Sequence, residues 1–152
     1  MTTQTTVFTI PGRPEPQRRA RATTRGGHVR MIDDQRNRSY ADRVRYAWRD
    51  AGADEHGHEP LHAVINARFP RPKGHWTSKG ELSAAGRREP HCLNRVDVDN
   101  IGKAVLDALN GYAYADDRQV VDISVRKQWA DNPTDDGAVT VCLYQPVDGE
   151  VA

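Results

Sequence analysis

The stretch RVDVDNIGK, residues 95–103, opens the most regular helical pattern in this chain. Asp97 and Asp99 lie one residue apart where the helix is predicted to begin, and Lys103 follows one turn later. A second acidic pair, Asp116-Asp117, comes just before the next predicted strand. Carboxylate oxygens placed close together suit Mg²⁺, and a nearby ammonium group suits the charge that develops on a phosphate. The spacing therefore points to metal-dependent phosphoryl chemistry.

Hydrophobic periodicity predicts six regular elements in the 152 residues. They are a strand at 7–10, a helix from about 33 to 51, a strand at 61–69, a helix from 101 to 109, a strand at 121–126 and a strand from 138 to about 145. The order β-α-β-α-β-β indicates a single α+β domain over residues 1–152, with two helices packed on a mixed four-stranded sheet. Trp48 falls on the apolar face of the first helix and is expected in the core.

Two segments between these elements are predicted to be irregular. Residues 12–30 contain two prolines and two adjacent glycines and are expected to form a basic loop. Residues 70–95 are expected to form a second, longer basic loop. A loop of that length in a small domain is usually functional or disordered.

Charge is distributed unevenly along the chain, although the net charge is only +1. Residues 1–50 hold eleven arginines against five acidic residues, and residues 68–96 hold seven basic residues against two acidic ones. Residues 97–152 hold four basic residues against eleven acidic ones. Basic segments flanking an acidic centre would hold phosphates at the rim and a metal in the middle. Uneven charge on a solvated surface is the plainer alternative.

Several classes of protein are disfavoured by the composition. No apolar run of 18 residues is present, so no membrane partner is expected, and the first residues lack the apolar run of a signal peptide. Two cysteines are too few for a disulfide framework and are typical of a reducing compartment. A cytoplasmic location is therefore expected.

Each acidic pair also has a structural explanation. Asp97 or Asp99 could cap the helix, and Asp99 could pair with Lys103 at i,i+4. Asp116-Asp117 could form a turn, as is expected for residues 135–137. The functional interpretation is favoured because both pairs flank one amphipathic helix, and packing does not require polar residues there. The polar face of that helix carries Asn100, Lys103 and Asp107.

Other candidate ligands are weaker. Three histidines in an acidic, glycine-containing region are expected to be exposed loop residues, and the remaining His and Cys candidates lack the spacing of a zinc site. The first group is His56, His58 and His62, and the second is His75, His91 and Cys92. Trp76, in the second basic loop, could stack on a base or pack that loop onto the sheet.

The run DVDNIGKAVLDALNG at residues 97–111, followed by DDRQVV at 116–121, resembles the signature of the RusA family of Holliday junction resolvases. The opening PGRPEP at residues 11–16, with the arginines that follow, resembles that family's basic opening. The resemblance spans residues 7–129. It implies a homodimeric, Mg²⁺-dependent endodeoxyribonuclease, with Mn²⁺ able to substitute, of bacterial or phage origin. Such an enzyme resolves four-way DNA junctions by paired nicks during recombination and repair.

The same resemblance implies roles for individual residues. Asp97, Asp99 and Asp117 match the metal-binding and catalytic carboxylates, and Asp116 matches their neighbour in the metal set. Lys103 matches the catalytic lysine. The side chains expected to contact DNA are Arg13, Arg18, Arg19, Arg21, Lys73 and Lys127.

Two other functions remain open from the sequence. One is a catalytically silent protein that binds junctions or other DNA. The other is an Asp-x-Asp phosphohydrolase or nucleotide-sugar transferase, which would need the motif at the end of a buried apolar strand. Residues 92–96 make a poor strand of that kind, because Asn94 and Arg95 lie within it.

Overall fold

Nine helices and strands lie within residues 3–147, the part of the chain that this computed structural model describes. In chain order they are β1 (Thr5–Pro11), β2 (Arg21–Arg25), β3 (His28–Ile32), α1 (Gln35–Asp50), β4 (Leu61–Phe69), α2 (Ala84–Arg88), α3 (Val98–Leu109), β5 (Val120–Trp129) and β6 (Ala138–Tyr144). Single 3₁₀ turns occur at Lys73–His75 and Asp117–Gln119.

Four strands form one mixed sheet in the order β1-β6-β4-β5. The β4–β5 pair is parallel, and the other two pairs are antiparallel. Every second residue of β4 is buried, because α1 and α3 cover the same face of the sheet. The strands β2 and β3 form a separate antiparallel hairpin. The predicted α+β class with a mixed four-stranded sheet is confirmed.

Helix α1 is held on the sheet by its apolar stripe. Asp34 caps the helix, with its Oδ1 accepting a hydrogen bond from the Arg36 amide at 2.9 Å. Tyr40, Val44 and Trp48 are all buried, so the core position predicted for Trp48 is confirmed.

Helix α3 packs closely against the sheet at Gly102. A Cβ atom at this position would stand 2.9 Å from Val125 Cγ2 and 3.0 Å from Ile123 Cδ1, so the small residue permits close contact with β5. The apolar stripe on either side of Gly102 is buried, and it includes Ile101 and Val105.

The expectation that residues 12–30 are irregular is wrong for their second half. Residues 21–32 form the β2–β3 hairpin, and Gly26 and Gly27 make its two-residue turn with φ values of 65° and 82°. The two adjacent glycines, from which a loop was expected, instead form a hairpin turn. Positive φ at both positions suits the twist of the flanking strands.

Residues 70–95 are also more ordered than predicted, with α2 and a 3₁₀ turn inside them. Arg71 organises the segment by donating to the Gly86 and Glu89 carbonyl oxygens, each at 3.1 Å. Trp76 is half-buried and forms an isolated bridge with Leu82.

The expectation of exposed loop histidines is wrong for two of the three. His56 is buried, and its Nε2 lies 3.0 Å from Thr6 Oγ1. Burial lowers the pKa of His56, because the charged ring would lose water. His62 is half-buried on β4 against Tyr144, whereas His58 is exposed. Across residues 3–147, no helix is both long and apolar enough to cross a membrane.

The turn before β6 yields a test of backbone strain. Gly137 has φ 93°, and a Cβ atom there would overlap the Arg68 carbonyl oxygen. We expect Gly137→Ala to lower the free energy of unfolding by at least about 2 kcal/mol, since strain and overlap add. Urea unfolding measures the loss, and Gly57→Ala is the matched control because nothing lies within 4 Å of its Cβ position. Equal stability of the two variants would contradict the expected strain.

Candidate active site

Two unengaged carboxylates mark the start of α3. Asp97 occupies the N-cap position with extended backbone, yet its side chain accepts no hydrogen bond from the first turn of the helix. Asp99 lies in that first turn, where the helix dipole favours a negative charge. Both residues are exposed, and neither forms an ion pair within residues 3–147. Their oxygen atoms are therefore accessible to a cation.

Lys103 lies on the exposed face of α3, one turn after Asp99. The ion pair with Asp99 that its spacing permits is absent from the described part of the chain. Asp107 follows after another turn. Partial burial raises the pKa of Asp107, the Lys103 ammonium lowers it, and the Asp117 carboxylate raises it again. Asp107 thus lies within electrostatic range of both Lys103 and Asp117.

The second acidic pair divides into one residue that caps a turn and one that is exposed beside it. Asp116 caps the 3₁₀ turn, with Oδ1 accepting from the Arg118 amide at 2.9 Å, and Gln119 Oε1 accepts in return from the Asp116 amide at 2.9 Å. The backbone and side chain of Arg118 lower the pKa of Asp116. Asp117 is exposed at the first position of the turn. The geometry thus gives Asp116 a structural task and leaves Asp117 accessible.

Tyr114 lies beneath Asp117 and was not singled out from the sequence. It is buried, and its hydroxyl donates to the Leu106 carbonyl oxygen at 2.6 Å. Burial raises the pKa of Tyr114, and the Asp117 and Asp107 carboxylates raise it further. The i,i+4 spacing of Lys103 and Asp107 on the polar face of the helix indicates that Asp107 lies near the site. No pattern in the sequence indicates a role for Tyr114.

Strand β5 runs antiparallel to α3, and this direction separates the carboxylates. Asp117, just before β5, lies near Asp107, whereas the far end of the strand lies beside Val96. Eight residues separate Asp99 from Asp107, which corresponds to about 12 Å along a helix. Over residues 3–147, no three acidic, His or Cys side chains converge on a common metal position. One chain therefore carries a pair of carboxylates at each end of α3. Asp97 and Asp99 lie at the start of the helix, Asp107 and Asp117 lie near its end, and Lys103 lies between the two pairs.

Lys127 supports the segment that leads into Asp97. Its Nζ donates to Asn94 O at 3.1 Å, to Asn94 Oδ1 at 3.0 Å and to Val96 O at 2.7 Å. All three N–H groups are therefore directed to protein oxygen atoms. The geometry favours a positioning role over the DNA contact expected from the sequence.

The arginine-rich opening lies beside the same helix. The Gln17 amide donates to the Asn100 carbonyl oxygen at 2.9 Å, which fixes the opening against the first turn of α3. Arg18 is half-buried and pairs with Glu15 at 3.3 Å. Four other basic side chains predicted to contact DNA, in the opening and in residues 70–95, are exposed. They are Arg13, Arg19, Arg21 and Lys73.

Free carboxylates flanking a lysine, beside a basic rim, form a set of groups suited to binding and cleaving a phosphodiester. Comparison with known families agrees with this class. The family described as Endodeoxyribonuclease RusA matches residues 11–141, and this chain belongs to the RusA family. The Bacillus subtilis protein YqaN, described as uncharacterized, is 33% identical over 131 residues, which cover 83% of this chain and 89% of that protein.

The contacts of Lys127 lead to a test of its positioning role. We expect Lys127→Met to lower the free energy of unfolding by about 1–3 kcal/mol, because three acceptor oxygens lose a charged donor. Urea unfolding measures the change. Lys79→Met is the matched control, since Lys79 is exposed. A Lys127→Met protein as stable as the control would show that these bonds are dispensable.

Proposed function

We propose that this protein is a divalent-metal-dependent endodeoxyribonuclease that resolves four-way DNA junctions by paired nicks, acting as a homodimer. Membership in the RusA family supports the nuclease class. The observation that carries the proposal is the unengaged state of the Asp97 side chain at the N-cap of α3.

Other aspartates of this chain show why that observation matters. Asp34, Asp116 and Asp135 each accept a hydrogen bond from a backbone N–H group two residues ahead. Asp97 has the same kind of position and makes no such bond, and Asp99 beside it is equally exposed. Exposed carboxylate oxygens that make no such bond stay available to a cation, and carboxylates are ligands that hard divalent cations prefer. The pair is therefore better explained by ligand binding than by helix capping.

The ligand that best fits these groups is Mg²⁺, with Mn²⁺ as a substitute, because the donors are all carboxylate oxygens. Asp97, Asp99 and Asp117 would hold it. A bound divalent cation would supply Lewis-acid activation of a water molecule and charge neutralisation at the scissile phosphate. Lys103 has an exposed ammonium group between the two acidic ends of α3, where it would stabilise negative charge on the phosphate.

The separation of Asp117 from Asp97 supports a dimer. A two-fold axis near the middle of α3 and β5 would bring the Asp117 end of one chain to the Asp97 end of its partner. The surface there carries exposed apolar side chains, including Val121 and Ile123, and β5 has an outer edge that no described strand pairs with. Each complete carboxylate set would then be shared between two chains, and the dimer would hold two sets for two nicks.

A first prediction concerns the carboxylates. We expect Asp97→Asn, Asp99→Asn or Asp117→Asn to reduce junction nicking by at least about 100-fold, because a charged ligand is lost. Junction binding should survive, since fewer negative charges face the DNA. Cleavage and gel-shift assays run in parallel separate the two effects. Asp136→Asn is the matched control, as Asp136 is exposed in the loop before β6.

Nicking near the wild-type rate in any of the three variants would refute this site. A wild-type protein that binds junctions but never nicks them with Mg²⁺ or Mn²⁺ would instead establish the catalytically silent DNA-binding function.

A second prediction tests whether the site is shared. Mixing Asp97→Asn with Asp117→Asn chains should restore single nicks, because one of the two sites in each mixed dimer then has every carboxylate. Random pairing predicts about a quarter of the wild-type sites. Light scattering of the wild type should report twice the chain mass of 17.0 kDa. An inactive mixture of refolded, dimeric chains would place the whole site within one chain and leave the nuclease proposal intact.

A further inference from the structure

The β2–β3 hairpin stands apart from the core of the protein. Strand β3 is exposed along its whole length, and Val29 and Met31 are 71% and 66% exposed. A two-stranded hairpin is only marginally stable alone in water, so an exposed one is expected to gain stability from a partner. The question is which partner its side chains suit.

Strand register divides the hairpin into two faces. Residues paired across the strands share a face, and successive residues alternate between faces. One face holds Arg21, Thr23, His28, Arg30 and Ile32. The other holds Ala22, Thr24, Val29 and Met31. The first face is basic, and the second is largely apolar.

Both ends of the hairpin are fixed by one buried side chain. Asn37, on the first turn of α1, is 8% exposed. Its Oδ1 accepts from the Arg18 amide at 2.9 Å, and its Nδ2 donates to the Arg18 carbonyl oxygen at 2.8 Å. The same Nδ2 lies 2.7 Å from Asp33 Oδ1, just after β3. Asn37 therefore links the segments that enter and leave the hairpin.

The hairpin begins beside the candidate active site. The hydrogen bond from Gln17 to Asn100 joins the entering segment to the residue that follows Asp99. Residues 16–32 contain five arginines and no acidic residue. Each strand has five residues, a length of about 17 Å, which matches the rise of about five base pairs.

We propose that the β2–β3 hairpin is an arm that holds one duplex arm of the DNA substrate beside the cleavage site. Its basic face lies against the phosphates, and Asn37 is the positioning residue that sets its direction. This inference rests on the proposed function, because it assumes a DNA substrate at α3. The arm contributes to binding and takes no part in the chemistry of cleavage.

The sharpest test shortens the arm without changing its register. Deleting residues 22–25 and 28–31 leaves Gly26-Gly27 as the turn, flanked by Arg21 and Ile32, a pair of the same hydrogen-bonding type as the one that closes the turn in the full-length arm. We expect junction affinity to fall at least 10-fold. The slope of log affinity against log salt should decrease by about 1.8, because two arginines are removed. Nicking at saturating protein should stay within threefold of the wild type.

Single substitutions give a charge-matched comparison. Arg30→Gln should reduce the salt slope by about 0.9, whereas Arg49→Gln should leave it unchanged. Arg49 lies in the last turn of α1, twelve residues or about 18 Å beyond Asn37, and each change removes one exposed arginine.

Asn37→Ala tests the positioning role. It should weaken junction binding in the full-length protein and add little to the loss in the shortened one, because the arm that it directs is gone. A residue that merely stabilises the fold would weaken both proteins equally, so additive losses would overturn the role of Asn37.

Three results would decide against the arm. Wild-type affinity and salt slope in the shortened protein would overturn it directly. A change of mass from dimer to monomer on shortening would overturn it too, because the apolar face would then contact a second copy of the chain. A wild-type protein that neither binds nor nicks junctions would refute the proposed function itself, and the arm with it.

Discussion

The contact of α3 with β5 at Gly102 sets the geometry on which the candidate site depends. A larger residue there would meet Ile123 and Val125, so the small side chain allows the helix to lie flat along the strand. Because the strand runs antiparallel to the helix, the residues before β5 arrive at one end of α3 and Lys127 arrives at the other. This direction places Asp117 at the opposite end of α3 from Asp97 and Asp99.

Much of the fold could be predicted because burial imposes a period on the sequence. The alternation in residues 61–69 and the i, i+3, i+4 pattern around Val105 arise from one face of each element packing in the core. The position of Asp97 and Asp99 at the start of α3 could be predicted as well, because the apolar pattern of that helix begins at Ile101, whereas their role in a metal site stays a prediction. Which carboxylate caps a turn and which remains free could not be predicted, because both Asp97 and Asp116 fit the same local pattern.

The two ordered segments that the sequence did not predict are held together without a hydrophobic core. The hairpin at 21–32 has no buried face, and the alternation of Val29 and Met31 with polar residues is too short to identify a strand. Residues 70–95 are ordered by Arg71 bonds to backbone oxygens, and no side-chain pattern records such bonds. The distance between Asp99 and Asp117 is likewise invisible in the sequence, because it depends on the direction of β5 relative to α3.

The division of the carboxylates between the two ends of α3 has a consequence for the control of activity. If two chains must meet to complete one metal site, the rate at low protein levels follows the square of the chain concentration, because the active species forms by mass action. Under the proposed function, an isolated chain would then lack a complete metal site. Full activity would appear only above the dissociation constant of the pair, and a four-way junction that gathers two copies would itself raise their local concentration.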